Sequence, residues 1–224
     1  RSTQAKTLFP YTTLFRSLTL RPGDKVLDMC AAPGIKSLYL QILHKKKLEL
    51  YVNDISNERL IRLRTLFEQF EMPLPTFSHQ PGQTLHMRYK PHYFDAVIID
   101  APCSSEGNAL TGDESALETW SMAKVKRLAQ LQRKLLKTGQ ALLKENGQFL
   151  YATCTLNMYE NERPLEKAGF SIQPTLHTMA TYVQLQDDQA LRIEPSHASI
   201  GFFMAKFGHG RKKDKGRKLF DSSE

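Results

Sequence analysis

Short apolar runs that end on a polar residue alternate along the chain with longer amphipathic stretches. Runs rich in β-branched and other apolar residues predict buried strands at 25–29, 48–54, 94–99 and 147–152. Further strands are predicted at 76–79, 170–173, 182–185 and 201–206. Apolar residues at helical spacing predict helices at 36–43, 56–70, 123–144 and 161–168. This alternation predicts a three-layer α/β domain with a mostly parallel sheet.

Two of the predicted strands end on residues that can carry out chemistry. The strand at 94–99 ends on Asp100, and Pro102 stops it just before Cys103. The strand at 147–152 leads into a Thr-Cys-Thr segment centred on Cys154. Ligands of open α/β sheets bind at the carboxyl ends of the strands. We therefore expect one carboxylate and two thiols at the functional edge of the sheet, as in a group-transfer enzyme.

A loop of small residues lies between the first strand and the first helix, and it consists of Cys30, Ala31, Ala32, Pro33, Gly34, Ile35 and Lys36. Such a tight turn lets backbone amides face a ligand at the helix N-terminus, although one glycine makes a weak fingerprint. The second strand ends on Asp54, where an acid binds ribose hydroxyls in doubly wound folds. The alternative role for Asp54 is a helix N-cap, and the strand-end position favours the ribose.

The composition shows an excess of basic over acidic residues. The chain has 224 residues, a net charge of +8 and 41% hydrophobic residues, enough for one domain with a core. The charge fits a polyanionic partner and a solvated basic surface equally well. Three cysteines without regular spacing predict reduced thiols and a cytoplasmic protein. No apolar run approaches the roughly 20 residues of a membrane span.

The two ends of the chain and one internal loop stand apart from the strand and helix pattern. Residues 7–17 resemble the translation of a sequencing adapter, so residues 1–17 are expected to be artefactual, and the alternative is an ordinary loop. Residues 208–224 form a basic tail, expected to be disordered, that either holds phosphates or only aids solubility. Residues 107–118 are expected to form a lid or substrate loop. Trp120 is interpreted as a packing anchor rather than a stacking platform for a base.

Four sequence blocks, taken together, carry a family resemblance: residues 28–37, 100–104, 153–157 and 160–162. In this order they resemble the S-adenosylmethionine-dependent RNA cytosine-C5 methyltransferases of the Nop/Sun group, closest to the bacterial 16S ribosomal RNA branch. Residues 201–205 resemble the last core strand of that family. The resemblance implies a class I, Rossmann-like methyltransferase with a mostly parallel seven-stranded sheet and helices on both faces. It places the catalytic domain at residues 18–207.

The resemblance also implies roles for individual residues. Cys154 is the nucleophile that adds to C6 of the cytosine, Asp100 acts near N3, and Cys103 assists product release. The loop from Cys30 to Lys36, together with Asp54 and Asp100, binds S-adenosyl-L-methionine. DNA cytosine methyltransferases use the Pro-Cys thiol instead and lack the second one. Cys30 is interpreted as a small buried residue.

The implied partner is RNA, with ribosomal RNA expected and transfer RNA left open. Neither a metal nor a membrane is implied, and a monomer is expected. Two positions depart from the family pattern: Ile35 replaces a small residue, and Pro81 replaces an aspartate that contacts the adenosine. These departures leave one further alternative, a non-catalytic RNA-binding protein that keeps the fold.

Overall fold

A single mixed sheet forms the centre of the computed structural model, which describes residues 15–106, 120–171, 176–178, 188–194 and 201–208. Its eight strands lie in the order β3-β2-β1-β4-β5-β8-β7-β6. Their bounds are Lys25–Asp28 (β1), Glu49–Asp54 (β2), Thr76–His79 (β3), Phe94–Asp100 (β4), Leu143–Thr153 (β5), Leu176–Thr178 (β6), Gln189–Ile193 (β7) and Phe202–Phe207 (β8).

Strand β8 is antiparallel to both of its neighbours, β5 and β7, while every other neighbouring pair is parallel. The predicted α/β fold with a mostly parallel sheet is therefore confirmed. The sheet has eight strands rather than seven because the three-residue β6 adds an edge beyond β7. The chain leaves β1 towards β2 and β3 on one side and continues through β4 and β5 on the other. This reversal opens a crevice at the carboxyl ends of β1 and β4.

Four α-helices and one 3-10 helix cover the two faces of the described sheet. They span Ile35–Leu43 (α1), Asn57–Gln69 (α2), Gly82–Met87 (3-10), Met122–Leu142 (α3) and Glu162–Ala168 (α4). Buried residues of α1 and α2 share one apolar cluster with alternate residues of the strands. Residues of α3, α4 and the 3-10 helix share a second cluster with the remaining strand residues. The three-layer arrangement follows from this alternation.

Helices α2 and α3 begin at side-chain caps and bury one apolar stripe each. The Ser56 hydroxyl accepts a hydrogen bond from the Arg59 amide and caps α2, whose Leu60, Leu63 and Phe67 are buried. Ser121 caps α3 in the same way. The predicted helices at 56–70 and 123–144 are thus present, except that residues 143 and 144 already belong to β5.

The carboxyl-terminal part of the sheet differs from the prediction. Phe170 and Ser171, in the strand predicted at 170–173, lie outside the strands, and β6 begins at Leu176. The strand predicted at 182–185 lies outside the described residues, as do residues 107–118 and 209–224. The chain instead supplies β7 at Gln189–Ile193, a run that includes a charged residue, Arg192.

Part of the adapter-like stretch contributes to the core. Phe15 is fully buried in the cluster beneath α1, and its ring centroid lies 6.2 Å from that of Tyr39. Ser17 and Leu18 are buried as well. The origin of residues 1–17 stays a prediction, and residues 1–14 lie outside the described part of the chain.

Candidate active site

The thiols of Cys103 and Cys154 meet at the carboxyl edge of the sheet. Strands β4 and β5 pair in parallel with Asp100 opposite Ala152, and the Ala101 amide extends the ladder by donating to the Ala152 carbonyl. The two loops that follow therefore leave the sheet side by side. As a result, the Sγ atoms of Cys103 and Cys154 lie 3.0 Å apart, and both residues are partly exposed.

A residue that the sequence analysis did not single out, Ser105, completes the thiol pair. Its Oγ lies 3.5 Å from Cys154 Sγ and 4.0 Å from Cys103 Sγ. Ser105 has a φ of 63°, in the left-handed region that non-glycine residues rarely adopt. Such backbone strain is found at functional sites, where the surrounding structure holds it in place. No sequence motif gives this conformation, because serine carries no backbone signature comparable to that of glycine.

An ion pair between Lys36 and Asp100 lies beside the thiols. Lys36 is the second residue of α1, and Asp100 is the last residue of β4. Burial lowers the pKa of Lys36, and the negative charges of Asp28 and of the Cys154 thiolate oppose that shift. The structure thus brings together four of the predicted site residues: Lys36, Asp100, Cys103 and Cys154.

Electrostatics distinguish the three cysteines of the chain. A hydrogen bond from the Cys103 thiol, helped by the Ser105 hydroxyl and the Lys36 charge, lowers the pKa of Cys154 to about 6 against the effect of burial. The hydrogen bond to Cys154 and burial raise the pKa of Cys103. Burial and the Asp28 and Asp54 carboxylates raise the pKa of Cys30 to about 12. At neutral pH, Cys154 is therefore the thiolate and the other two are thiols.

A buried carboxylate, Glu160, ties the two cysteine-bearing loops together. Its side chain accepts hydrogen bonds from the Ser104 amide at 3.0 Å, from Gln132 Nε2 at 2.9 Å and from Asn157 Nδ2 at 3.0 Å. The Tyr151 hydroxyl donates to its backbone carbonyl at 2.6 Å. Glu160 belongs to one of the sequence blocks, but its role was not predicted, because its partners Ser104 and Gln132 lie far away in the chain.

The loop after β1 turns sharply into α1. Gly34 has a φ of 104°, and a Cβ at this position would lie 2.4 Å from Leu63 Cγ, so only glycine fits. No side chain caps the helix that begins at Ile35, and the start of this helix follows the loop at the carboxyl end of β1. Ile35, one of the two departures from the family pattern, is 45% exposed and does not obstruct the turn.

Asp54 fastens this loop to the end of β2. One carboxylate oxygen accepts from the Ser56 amide at 3.0 Å, and the other accepts from the Ala32 amide at 3.2 Å. Arg59 lies 3.4 Å from the second oxygen and also donates to the Ala32 carbonyl. The N-cap alternative for Asp54 is wrong, because Ser56 caps α2. A carboxylate oxygen can accept a further hydrogen bond, which leaves capacity for a ligand.

The end of β3 supplies polar atoms to the same crevice. Asn53 Nδ2 donates to the carbonyls of Met29 and Gln80, both at 3.0 Å, which joins the ends of β1, β2 and β3. Gln80 Nε2 is buried and has no hydrogen-bond partner among the described residues. Pro81 precedes the 3-10 helix, and its carbonyl accepts from the Thr84 hydroxyl at 2.7 Å. A helix start without a side-chain cap, a carboxylate with spare capacity and the unpaired Gln80 amide fit a polar nucleoside ligand.

Trp120 is less buried than a packing anchor would be. It is 40% exposed, and its indole nitrogen donates a hydrogen bond at 2.6 Å to Glu106, which lies three residues after Cys103.

Within the described ranges, no three His, Cys, Asp or Glu side chains cluster closely enough to hold a metal ion. The helices described here are also too short or too polar to cross a lipid bilayer.

Comparison with known proteins gives relatives that are named as ribosomal RNA methyltransferases. Ribosomal RNA small subunit methyltransferase F of Aeromonas salmonicida is 33% identical over 181 residues, which cover 79% of this chain and 37% of the relative. The protein of the same name from Vibrio cholerae is 31% identical over 206 residues, covering 92% of this chain and 41% of the relative. The chain thus spans about two-fifths of the length of these relatives.

A solved structure of a methyltransferase homolog protein from Pyrococcus horikoshii superposes with a TM-score of 0.67 at 28% identity, covering 90% of this chain and 65% of that one. The model of one protein family matches residues 15–208. It is a methyltransferase family, which confirms S-adenosylmethionine as the cofactor predicted from the resemblance. By the extent of this match, the chain belongs to the 16S rRNA methyltransferase RsmB/F family.

Proposed function

We propose that this chain is the catalytic domain of an enzyme that transfers a methyl group from S-adenosylmethionine to C5 of a cytosine in RNA. Ribosomal RNA is the expected substrate, since the relatives are named ribosomal RNA methyltransferases. The observation that carries the proposal is the contact of Cys154 with Cys103 at 3.0 Å, beside the Lys36–Asp100 ion pair. This arrangement supplies both a thiolate and the charges that a pyrimidine adduct requires.

Cysteine addition solves the main difficulty of the reaction. C5 of cytosine is not nucleophilic enough to take a methyl group directly, and a thiolate that adds to C6 converts the ring into an enamine. The lowered pKa of Cys154 gives mostly thiolate at neutral pH, so no separate base is needed to activate this sulfur. S-adenosylmethionine, when bound, supplies the methyl group as an electrophile to C5.

The ion pair stabilises the charge that forms on the ring. Addition at C6 pushes electron density towards N3, and Asp100 is proposed to hold a proton at N3 while Lys36 balances the carboxylate. Loss of the C5 proton then expels Cys154 from C6. In total, the Cys154 Sγ–C6 bond forms and breaks, a C5–CH3 bond replaces the sulfonium–CH3 bond of the methyl donor, and the C5 hydrogen leaves as a proton.

Cys103 is proposed to act on the leaving sulfur. It remains a thiol at neutral pH because its pKa is raised, and its Sγ lies within hydrogen-bonding distance of Cys154 Sγ. A thiol donating to the departing thiolate makes Cys154 a better leaving group and so favours product release. The target base has to leave its stack to reach this edge of the sheet.

Cofactor contacts are proposed from the same crevice. The loop before α1, the start of that helix and the Lys36 side chain are proposed to face the methionine carboxylate. Asp54 accepts hydrogen bonds from the ribose hydroxyls with the acceptor capacity left by Ser56 and Ala32. Gln80, at the end of β3, offers an unpaired amide to the base.

A covalent trap tests the proposed function. RNA that contains 5-fluorocytidine and S-adenosylmethionine are incubated with the protein, and the adduct is detected as a slower band in denaturing gels. Wild type and Cys103→Ala are expected to form the adduct, because fluorine cannot leave C5 as a proton does. Cys154→Ala is expected to form none. An adduct that persists in Cys154→Ala, or that is missing from wild type with both ribosomal and transfer RNA, contradicts the proposal.

A further inference from the structure

A basic groove of about 280 Å³ lies between α3 and α4, on the helical layer next to the cysteine loops. Four cations line it, Lys126 and Arg133 from α3 and Arg163 and Lys167 from α4, together with Tyr159. Among the described lining residues none is acidic. The groove is smaller than the roughly 300–1,000 Å³ typical of small-molecule sites, and half of its described lining residues are cationic.

The spacing of these residues places the cations in two facing rows. Lys126 and Arg133 are seven residues apart on α3, two turns along one face, which is about 10 Å of helix length. Arg163 and Lys167 are four residues apart on α4, about 6 Å. Arg163 lies over the Tyr159 ring at 4.0 Å, a cation–π contact that orients the guanidinium.

Hydrogen bonds connect the groove to the cysteine pair. Arg133 directly follows Gln132, and Tyr159 directly precedes Glu160. The Gln132 side chain donates a hydrogen bond to the Glu160 carboxylate at 2.9 Å. Glu160 in turn accepts from the Ser104 amide, next to Cys103. The groove is therefore held in a fixed relation to the site where the target base would react.

We propose that this groove binds the phosphate backbone of the RNA strand that carries the target cytosine. The inference rests on the proposed function, because it takes RNA as the substrate. Two rows of guanidinium and ammonium groups are complementary to the regularly spaced phosphates of an RNA strand. Contacts of this kind position the strand but do not read its base sequence. Like-charged side chains that face one another across a groove repel, and an anion bound between them relieves that repulsion.

Salt dependence of binding tests the groove. A fluorescein-labelled RNA hairpin with a cytosine in its loop is titrated with the protein by anisotropy at several KCl concentrations. The variant Lys126→Gln/Arg133→Gln removes two cations from the groove. Its plot of log Kd against log KCl is expected to be flatter than that of wild type by about 1.4–1.8, since each lost phosphate contact contributes roughly 0.7–0.9.

The matched control is Arg127→Gln/Lys134→Gln, which removes the same charge from exposed positions seven residues apart on a different face of the same helix. This control is expected to keep nearly the wild-type slope. Equal flattening in both variants, or an unchanged slope in the groove variant, overturns the proposal. Alkylation of Cys154 by iodoacetamide at the wild-type rate in both variants shows that the cysteine site is intact.

The covalent trap separates failure of the groove from failure of the proposed function. If the protein forms an adduct with 5-fluorocytidine RNA but the salt slope of the groove variant is unchanged, the proposed function stands and the proposed role of the groove is wrong. If the salt slope is flattened in the groove variant alone but no adduct forms, the groove binds RNA and the proposed methyl transfer is wrong.

Discussion

The sulfur atoms of Cys103 and Cys154 lie 3.0 Å apart, although the two residues are separated by 51 positions in the chain. The parallel pairing of β4 with β5 produces this contact, since it delivers the loops after Asp100 and Thr153 to the same edge of the sheet. The contact makes the two thiols chemically different, because one donates a hydrogen bond and the other receives it.

The first prediction concerns the pH dependence of Cys154 alkylation. The rate with iodoacetamide is expected to rise with pH through about 6, where the thiolate forms, and to level off above that value. Cys103→Ala removes the main donor, so the midpoint moves upward and the rate at pH 6.5 falls roughly 3- to 10-fold. Mass spectrometry of the peptide with Cys154 follows the reaction. A midpoint that stays near 6 in Cys103→Ala would remove the role of this donor.

The second prediction concerns the buried carboxylate that joins the cysteine loops. Glu160→Gln replaces one acceptor oxygen by an NH2 group. This group faces the Ser104 amide and Gln132 Nε2 if it takes the place of Oε2, or Asn157 Nδ2 if it takes the place of Oε1. The free energy of unfolding is expected to fall by about 2–3 kcal/mol, because buried donors lose their partner. Urea unfolding measures the loss.

Glu166→Gln on α4 is the control for this substitution, since it changes the same carboxylate at an exposed position. Its effect is expected to stay within about 0.5 kcal/mol. Equal effects of the two substitutions would mean that the network around Glu160 contributes nothing beyond its charge.

The third prediction compares two glycines with similar backbone angles. Gly34 and Gly169 have φ values of 104° and 90°, but only at Gly34 would a Cβ meet a neighbour, Leu63 Cγ at 2.4 Å. Gly169→Ala is expected to cost about 1–2 kcal/mol from backbone strain alone. Gly34→Ala adds an overpacking cost of about 1–3 kcal/mol and displaces the loop at the start of α1.

Thermal unfolding and calorimetric titration with S-adenosylmethionine separate these two effects. Gly34→Ala is expected to lower both the melting temperature and the cofactor affinity, whereas Gly169→Ala lowers the melting temperature only. If both variants bind the cofactor like wild type, the loop at Gly34 does not form the cofactor site.

The fourth prediction concerns the proline that stands in place of an aspartate. Pro81 precedes a 3-10 helix with a φ of −56°, and its carbonyl rather than its ring holds the turn. Aspartate fits this position, because it is a favourable N-cap residue. Pro81→Asp is expected to tighten S-adenosylmethionine binding about 2- to 10-fold, the equivalent of one ligand hydrogen bond.

Pro81→Ala serves as the comparison, because it removes the ring without adding a carboxylate. Calorimetry should give nearly wild-type affinity for Pro81→Ala. Equal tightening in the two variants would trace the gain to the backbone, and no change in Pro81→Asp would mean that the adenosine lies elsewhere.

Local patterns allowed much of the fold to be predicted. Runs of buried apolar residues gave β1, β2, β4 and β5 close to their observed positions, and the α2 and α3 stripes matched because amphipathic periodicity reports burial directly. The strand predicted at 201–206 matches β8, whereas the strand predicted at 170–173 was misplaced. Strand β7 was not predicted, and it includes Arg192, whose partners Leu156 and Glu162 are distant in the chain.

What the sequence alone determined is the order of strands and helices, the family and the residue types that end β4 and β5, since each depends on neighbours in the chain. Only the tertiary structure decided which thiol has the lowered pKa, where Glu160 finds its donors and how four cations face one another across α3 and α4. Each of these depends on atoms brought together by strand pairing and helix packing over dozens of residues. Charge and hydrogen bonding act through distance in space, which no local pattern records.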